Sequence, residues 1–163
     1  MLADADGILN LFMRLLRLVD KVFPPKIVYA HCDVPCGIYD PKSAQIAAAT
    51  VVRMVDLITN PPVKVDEGDN TSIRNFHNAM TRYVIVKEEH AQKCKEELLI
   101  LWTDFFKEEH LKQFPKLHDT FWNAAKLCSK NKQEVDLKSA EDLKKAVDEI
   151  ADIFAKAKAA AKQ

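Results

Sequence analysis

Residues 31–41 read His-Cys-Asp-Val-Pro-Cys-Gly-Ile-Tyr-Asp-Pro. One imidazole (His31) and two thiols (Cys32 and Cys36) fall close together, framed by the turn-forming Pro35 and Gly37. Cleavage between Ala30 and His31 would make His31 the N-terminus. Its amine would then join the imidazole, the Cys32 amide nitrogen and the two thiolates as metal donors. So many nitrogen and sulfur donors on so short a piece make a compact hook for a transition metal, and that points to redox chemistry. Two plainer readings stand beside it: reactive thiols in an exposed turn, and a C-x-x-x-C pair that binds zinc. Structural zinc takes four tetrahedral ligands, and this nitrogen-rich hook offers planar donors instead.

Such a hook needs a scaffold, and the chain is long enough to build one. Its 163 residues suit a single domain, with 48% hydrophobic and 29% charged residues. Only three glycines and many Ala, Lys, Glu and Leu residues favour helix. The 24 basic and 24 acidic residues cancel, which speaks against nucleic acid as a partner, because its binders carry a basic excess. Four cysteines are too few for a disulfide framework, and a close pair in a reducing compartment reads as a metal or redox site. No apolar run approaches the roughly 20 residues that cross a bilayer, so no membrane association is expected.

Residues 1–30 read as a leader helix. Ile8, Leu9, Leu11, Phe12, Leu15, Leu16, Leu18 and Val19 form its apolar face, interrupted by Arg14 and Arg17. Its start is acidic (Asp4, Asp6), unlike a secretory signal, so the expected location is cytoplasmic. Pro24-Pro25 ends the helix, a short extended piece covers Lys26 to Tyr29, and Val28-Tyr29-Ala30 is a plausible processing site. Without residues 1–30 the chain keeps 20 basic and 21 acidic residues.

Behind the hook, Asp40-Pro41 opens a helix, with Asp as N-cap and Pro in the first turn. Ile46, Thr50, Met54, Leu57 and Ile58 mark its expected inner face, and Asn60-Pro61-Pro62 ends it. A second helix starts near Thr71. Phe76, Met80, Tyr83, Lys87, His90, Cys94, Leu98, Leu101 and Phe105 recur along it in steps of three and four, with Lys87 as the one charged interruption. A third follows Pro115, with Leu117, Phe121, Ala124 and Leu127 or Cys128 inward. Ser139-Ala140-Glu141-Asp142 resembles a capping box for a fourth helix carrying Leu143, Val147, Ile150 and Phe154, which frays in the Ala/Lys tail from Lys156. The expected fold is all-α: an antiparallel, up-down four-helix bundle with an N-terminal metal-binding hook, preceded by a leader helix.

The run HCDVPCGIYDP resembles the nickel-binding N-terminus of the nickel superoxide dismutase family. Arg82–Glu89 (RYVIVKEE), Leu101–Lys107 (LWTDFFK) and Phe114–His118 (FPKLH) are similar to the same family, so the resemblance covers the chain from His31 onward. It implies a precursor trimmed before His31 by a leader-processing protease, dividing the chain into a leader at 1–30 and a bundle domain at 31–163 with the hook at 31–39. It implies one nickel ion per subunit, held by His31, Cys32 and Cys36. The His31 amine, the Cys32 amide and the two thiolates would lie in plane, with the His31 imidazole as axial ligand. Thiolate and amide donors are what would make the higher oxidation state of nickel accessible. A cis bond before Pro35 is implied as well. Tyr39 would gate small anions over the open face of the metal, and Asp33 would fix the hook by hydrogen bonds.

The implied activity is disproportionation of superoxide to oxygen and hydrogen peroxide, in a homohexamer. The family often supports the axial imidazole with a glutamate and an arginine, and those positions are Ala47 and His90 here. Two rival functions remain: a non-enzymatic nickel or copper carrier, which would load reversibly without turnover, and a helical interaction module with structural cysteines and no metal. Cys94 and Cys128 read as small core residues, and His90 with Cys94 as a hydrogen-bonded core pair. His77, His110 and His118 read as surface or capping residues, and Trp102 and Trp122 as core or interface aromatics. Lys42, Lys64 and Lys87 read as solvated surface cations that could steer an anion.

Overall fold

The computed structural model describes residues 13, 14, 16, 17, 37–62 and 64–160. The chain divides into two compact units, Met1–Asp33 and Val34–Gln163. In the first, the described residues Met13, Arg14, Leu16 and Arg17 are helical. The rest of the expected leader, the extended piece at 26–29 and the processing site lie outside the described residues.

The second unit contains α1 (Lys42–Thr59), α2 (Asn70–Ile100), α3 (Glu108–Gln113), α4 (Leu117–Gln133) and α5 (Leu137–Ala160), and its described residues include no strand. The four long helices pack in a ring: α1 against α2 and α5, α4 against α2 and α5. Side-chain hydrogen bonds fix their directions. Ser43 at the start of α1 donates to Glu97 near the end of α2 (2.9 Å), and Gln45 donates to Asp148 midway along α5 (2.9 Å). Lys95 and Lys132 bridge α2 and α4 by reaching Ser129 and Gln92, at 3.2 and 3.0 Å. An early residue of α1 meets a late one of α2, and Gln92 and Lys95 pair with Lys132 and Ser129 in opposite order, so sequential helices are antiparallel and the expected up-down bundle forms.

The core is aliphatic along its length and aromatic at one end. Val51, Val55, Leu98, Leu117, Leu143, Val147 and Ile150 are buried at helical spacing. The inner face of α1 differs from the expected one. Ala44, Ala47, Ala48, Val51 and Val55 point inward, whereas Ile46 is 56% exposed. Small side chains let α1 approach its neighbours closely, and this packing outweighs the bulk of Ile46. On α2, the expected seam residues Lys87, Cys94 and Leu98 are buried together with Ala91, while Phe76, Met80, Tyr83 and His90 are half-buried.

Helix ends also depart from expectation in places. At α1, Pro41 occupies the N-cap without a side-chain bond, and Asp40 accepts from the Lys42 amide (2.7 Å). Asp69 caps α2 by accepting from the Thr71 and Ser72 amides. The capping box expected at Ser139 is not the start of α5. That helix begins two residues earlier, where Asp136 accepts from the Lys138 amide (3.0 Å). Ser139 is buried instead, with its carbonyl and hydroxyl accepting from the Asn131 side chain at 3.0 and 3.2 Å. The C-terminal tail does not fray at Lys156: α5 runs to Ala160, with Ala157 buried.

Candidate metal centre

His31, Cys32, Asp33 and Cys36, the expected ligands and the hydrogen-bonding aspartate, lie outside the described residues, as does the bond before Pro35. Among the described residues, no group of three or more His, Cys, Asp or Glu side chains could hold a metal ion. The donor chemistry of residues 31–36 fits nickel, because thiolates and nitrogens in a short span suit its tetragonal preference. What the structure does describe is the frame into which that segment runs.

The segment enters the frame at Gly37, whose φ of +84° is accessible to glycine at little cost. Ile38 is 75% exposed, yet Tyr39 beside it is only 7% exposed, with its hydroxyl buried. Tyr39 therefore ties this stretch to the bundle. Its ring meets the Phe105 ring edge-on, with centroids 6.0 Å apart. Its carbonyl accepts from Lys158 Nζ at 3.4 Å. Lys158 in turn lies 5.3 Å from the Phe154 ring centroid, and Phe154 packs on Phe105 at 4.3 Å.

Phe105 is presented by a feature that sequence reasoning missed. Residues Leu101–Phe105 form a π turn, closed by the Phe106 amide on the Leu101 carbonyl (3.1 Å). The widened turn sends the three aromatics of the LWTDFF run to two places. Phe105 faces Tyr39 and Phe154, whereas Trp102 stacks on Phe121 with planes 5° apart and Phe106 meets Phe121 edge-on. The short α3 follows, also unforeseen, and His110 caps it by accepting from the Lys107 amide (2.9 Å). Both features replace the last turn of the long helix expected from the sequence. The clustered aromatics were the available signal.

Ala47 is buried on α1 and offers no polar side-chain atom. His90 is half-buried, and its Nδ1 lies 2.9 Å from the Val86 carbonyl of its own helix. The expected His90–Cys94 pair is replaced by one between Cys94 and Cys128, both buried and free. The Cys128 hydrogen bond and burial push the Cys94 thiol well above its ordinary range, so Cys94 behaves as an inert core residue. Trp102 donates to His118 (2.9 Å), while Trp122 is 55% exposed under the Lys126 ammonium and takes no place in the core.

Lys42 and Lys64 are exposed as expected. Lys87 is not: it is 2% exposed and donates to the carbonyls of Asn131, Lys132 and Glu134 at 2.6, 2.9 and 3.2 Å. It closes the C-terminal end of α4, satisfying carbonyls that the helix leaves open. Burial lowers its pKa, and the neighbouring Glu88 charge opposes that shift.

The chain matches the family model described as "Nickel-containing superoxide dismutase" over residues 26–158. It is 34% identical to the protein named superoxide dismutase [Ni] of Streptomyces seoulensis, over 137 residues that cover 83% of this chain and 92% of that protein. A protein of the same name from Streptomyces coelicolor is 33% identical over the same shares. Solved structures agree. A native nickel superoxide dismutase shares 29% identity at a TM-score of 0.64, covering 78% of this chain and 99% of that one. A form with nickel ligation corresponding to the oxidised state shares 30% identity at 0.65, covering 78% and 98%.

Proposed function

The chain belongs to the nickel-containing superoxide dismutase family, and from that premise we propose how its own residues serve the reaction. The function is disproportionation of superoxide to oxygen and hydrogen peroxide at a nickel centre. The observation that carries it is the extent of the family match: residues 26–158 include both the donor segment at 31–36 and nearly all of the described bundle.

His31, Cys32 and Cys36 are the residues that would hold the metal. When bound there, nickel would supply one-electron redox chemistry between two oxidation states. Both thiols must be deprotonated to bind it, so loading releases protons and weakens in acid. The His31 amine becomes available only when the bond after Ala30 is cut. A free α-amine titrates near pH 8, well below a lysine, and is thus a competent donor near neutral pH. On this reading residues 1–30 are a leader removed by a protease, and 31–163 form the working domain.

Tyr39 is assigned to the approach of substrate and Asp33 to holding the hook. Tyr39 is held against Phe105 close behind the donor segment, where its buried hydroxyl can order water and small anions. Asp33 would orient the hook by hydrogen bonds. The working protein is proposed to be a homohexamer in the cytoplasm. No helix among the described residues is long and apolar enough to cross a membrane.

The test is superoxide decay by a nickel-loaded chain beginning at His31, with the untrimmed chain beside it. Rapid decay in the trimmed chain alone is expected, together with its loss in Cys32→Ser and Cys36→Ser. No decay by the trimmed, nickel-loaded chain, or full activity in either serine variant, sinks the reading.

A further inference from the structure

We propose that Lys158, on the last turn of α5, is a positioning residue for the metal-binding segment: it clamps the backbone of Tyr39 and so fixes where that segment leaves the bundle. The proposal rests on the functional reading above for its consequence in catalysis, but the clamp itself stands on geometry.

Three observations converge on it. The Lys158 ammonium reaches a backbone carbonyl 119 positions earlier in the chain, at 3.4 Å. That carbonyl belongs to Tyr39, the buried residue between exposed Ile38 and exposed Asp40, so the contact falls where the stretch meets the core. The ammonium is also held from below by the Phe154 ring at 5.3 Å, and this aromatic face restricts its position. Phe154 then carries Phe105, and Phe105 carries the Tyr39 ring. Backbone and side chain of Tyr39 are thus held by one connected group, the carbonyl by Lys158 and the ring by Phe105.

The surroundings suit this role. A cleft of about 450 Å³ opens beside the contact, lined by Asp40, Pro41, Ala151, Ala155, Lys158 and Ala159. The three alanines leave the lysine stem room to lie along the helix toward Tyr39. Lys158 is also the basic residue of the last turn of α5, where a cation meets the negative end of the helix favourably. Placement of a catalytic group to within an ångström governs rate strongly, and Tyr39 is the first buried residue after the donors among the described residues.

Backbone ¹⁵N order parameters at residues 38–40 of the full chain, without nickel, test the clamp. Values of about 0.85 are expected in the parent chain, falling toward about 0.6 in Lys158→Met and returning in Lys158→Arg, with α5 itself unchanged. Lys158→Met keeps the aliphatic stem and removes no core volume, so the bundle persists. In the nickel-loaded chain beginning at His31, Lys158→Met is expected to keep full metal content and to lose superoxide kcat/KM several-fold, again restored by Lys158→Arg. The clamp is overturned by unchanged order parameters in Lys158→Met, by a parent chain already mobile at 38–40, or by loosening spread along α5. A nickel-loaded parent chain beginning at His31 that lacks dismutase activity would overturn the functional reading, while the order parameters would still decide the clamp.

Discussion

Lys87 shows how a single residue can invert its expected role. A lysine in an otherwise apolar seam reads as a charge to be solvated, yet it lies in the core with three carbonyls around its ammonium. Lys87→Met keeps the stem and strands those carbonyls, which is expected to cost about 1–3 kcal/mol. Denaturant unfolding checks this, and a variant as stable as the parent would show that water replaces the ammonium. The seam position of Lys87 was legible in its spacing with Tyr83 and His90. Its acceptors were not, because they sit 44 to 47 positions away on another helix. Residues 31–36 are the opposite case. Their chemistry is written in adjacent side chains and needs no tertiary contact to be recognised.

Elements were legible where bulk and periodicity agreed. On α4 and α5, Leu117, Phe121, Ala124, Leu143, Val147, Ile150 and Phe154 are inward as their spacing predicts. On α1 they disagreed, and the alanine stripe took the interface. Enlarging it with Ala48→Leu is expected to destabilise by about 1–3 kcal/mol through overpacking. Ile46→Lys on the exposed side should change stability by no more than about 0.5 kcal/mol. Thermal melts of the two variants separate these outcomes, and equal effects would refute the assignment of faces. The π turn at Leu101–Phe105 was hidden for another reason. A pattern of threes and fours runs through it without a break, since one widened turn shifts register only for the residues after it.

At the scale of the whole molecule, polar contacts between helices set direction while the apolar core supplies most of the stability. Asp148 illustrates the balance. The Lys144 hydrogen bond, supported by Gln45 from α1, holds its carboxyl below the ordinary range against the opposing effect of burial. Its folded-state pKa is lowered, so the stability it adds is present above the ordinary carboxylate range and fades as pH falls through the lowered value. The side chain is partly exposed, so that share stays below about 1 kcal/mol. Asp148→Asn should flatten the acid limb of a stability-against-pH curve by that amount, and an unchanged limb would contradict the assignment. The contact between Tyr39 and Lys158 also has a consequence in time. A ribosome adding about 5–20 residues per second needs roughly 6–24 seconds to make the 119 residues that separate them. Throughout that interval the donor segment already exists while its distant fastening does not, so the first end of the chain to be made is among the last to be secured.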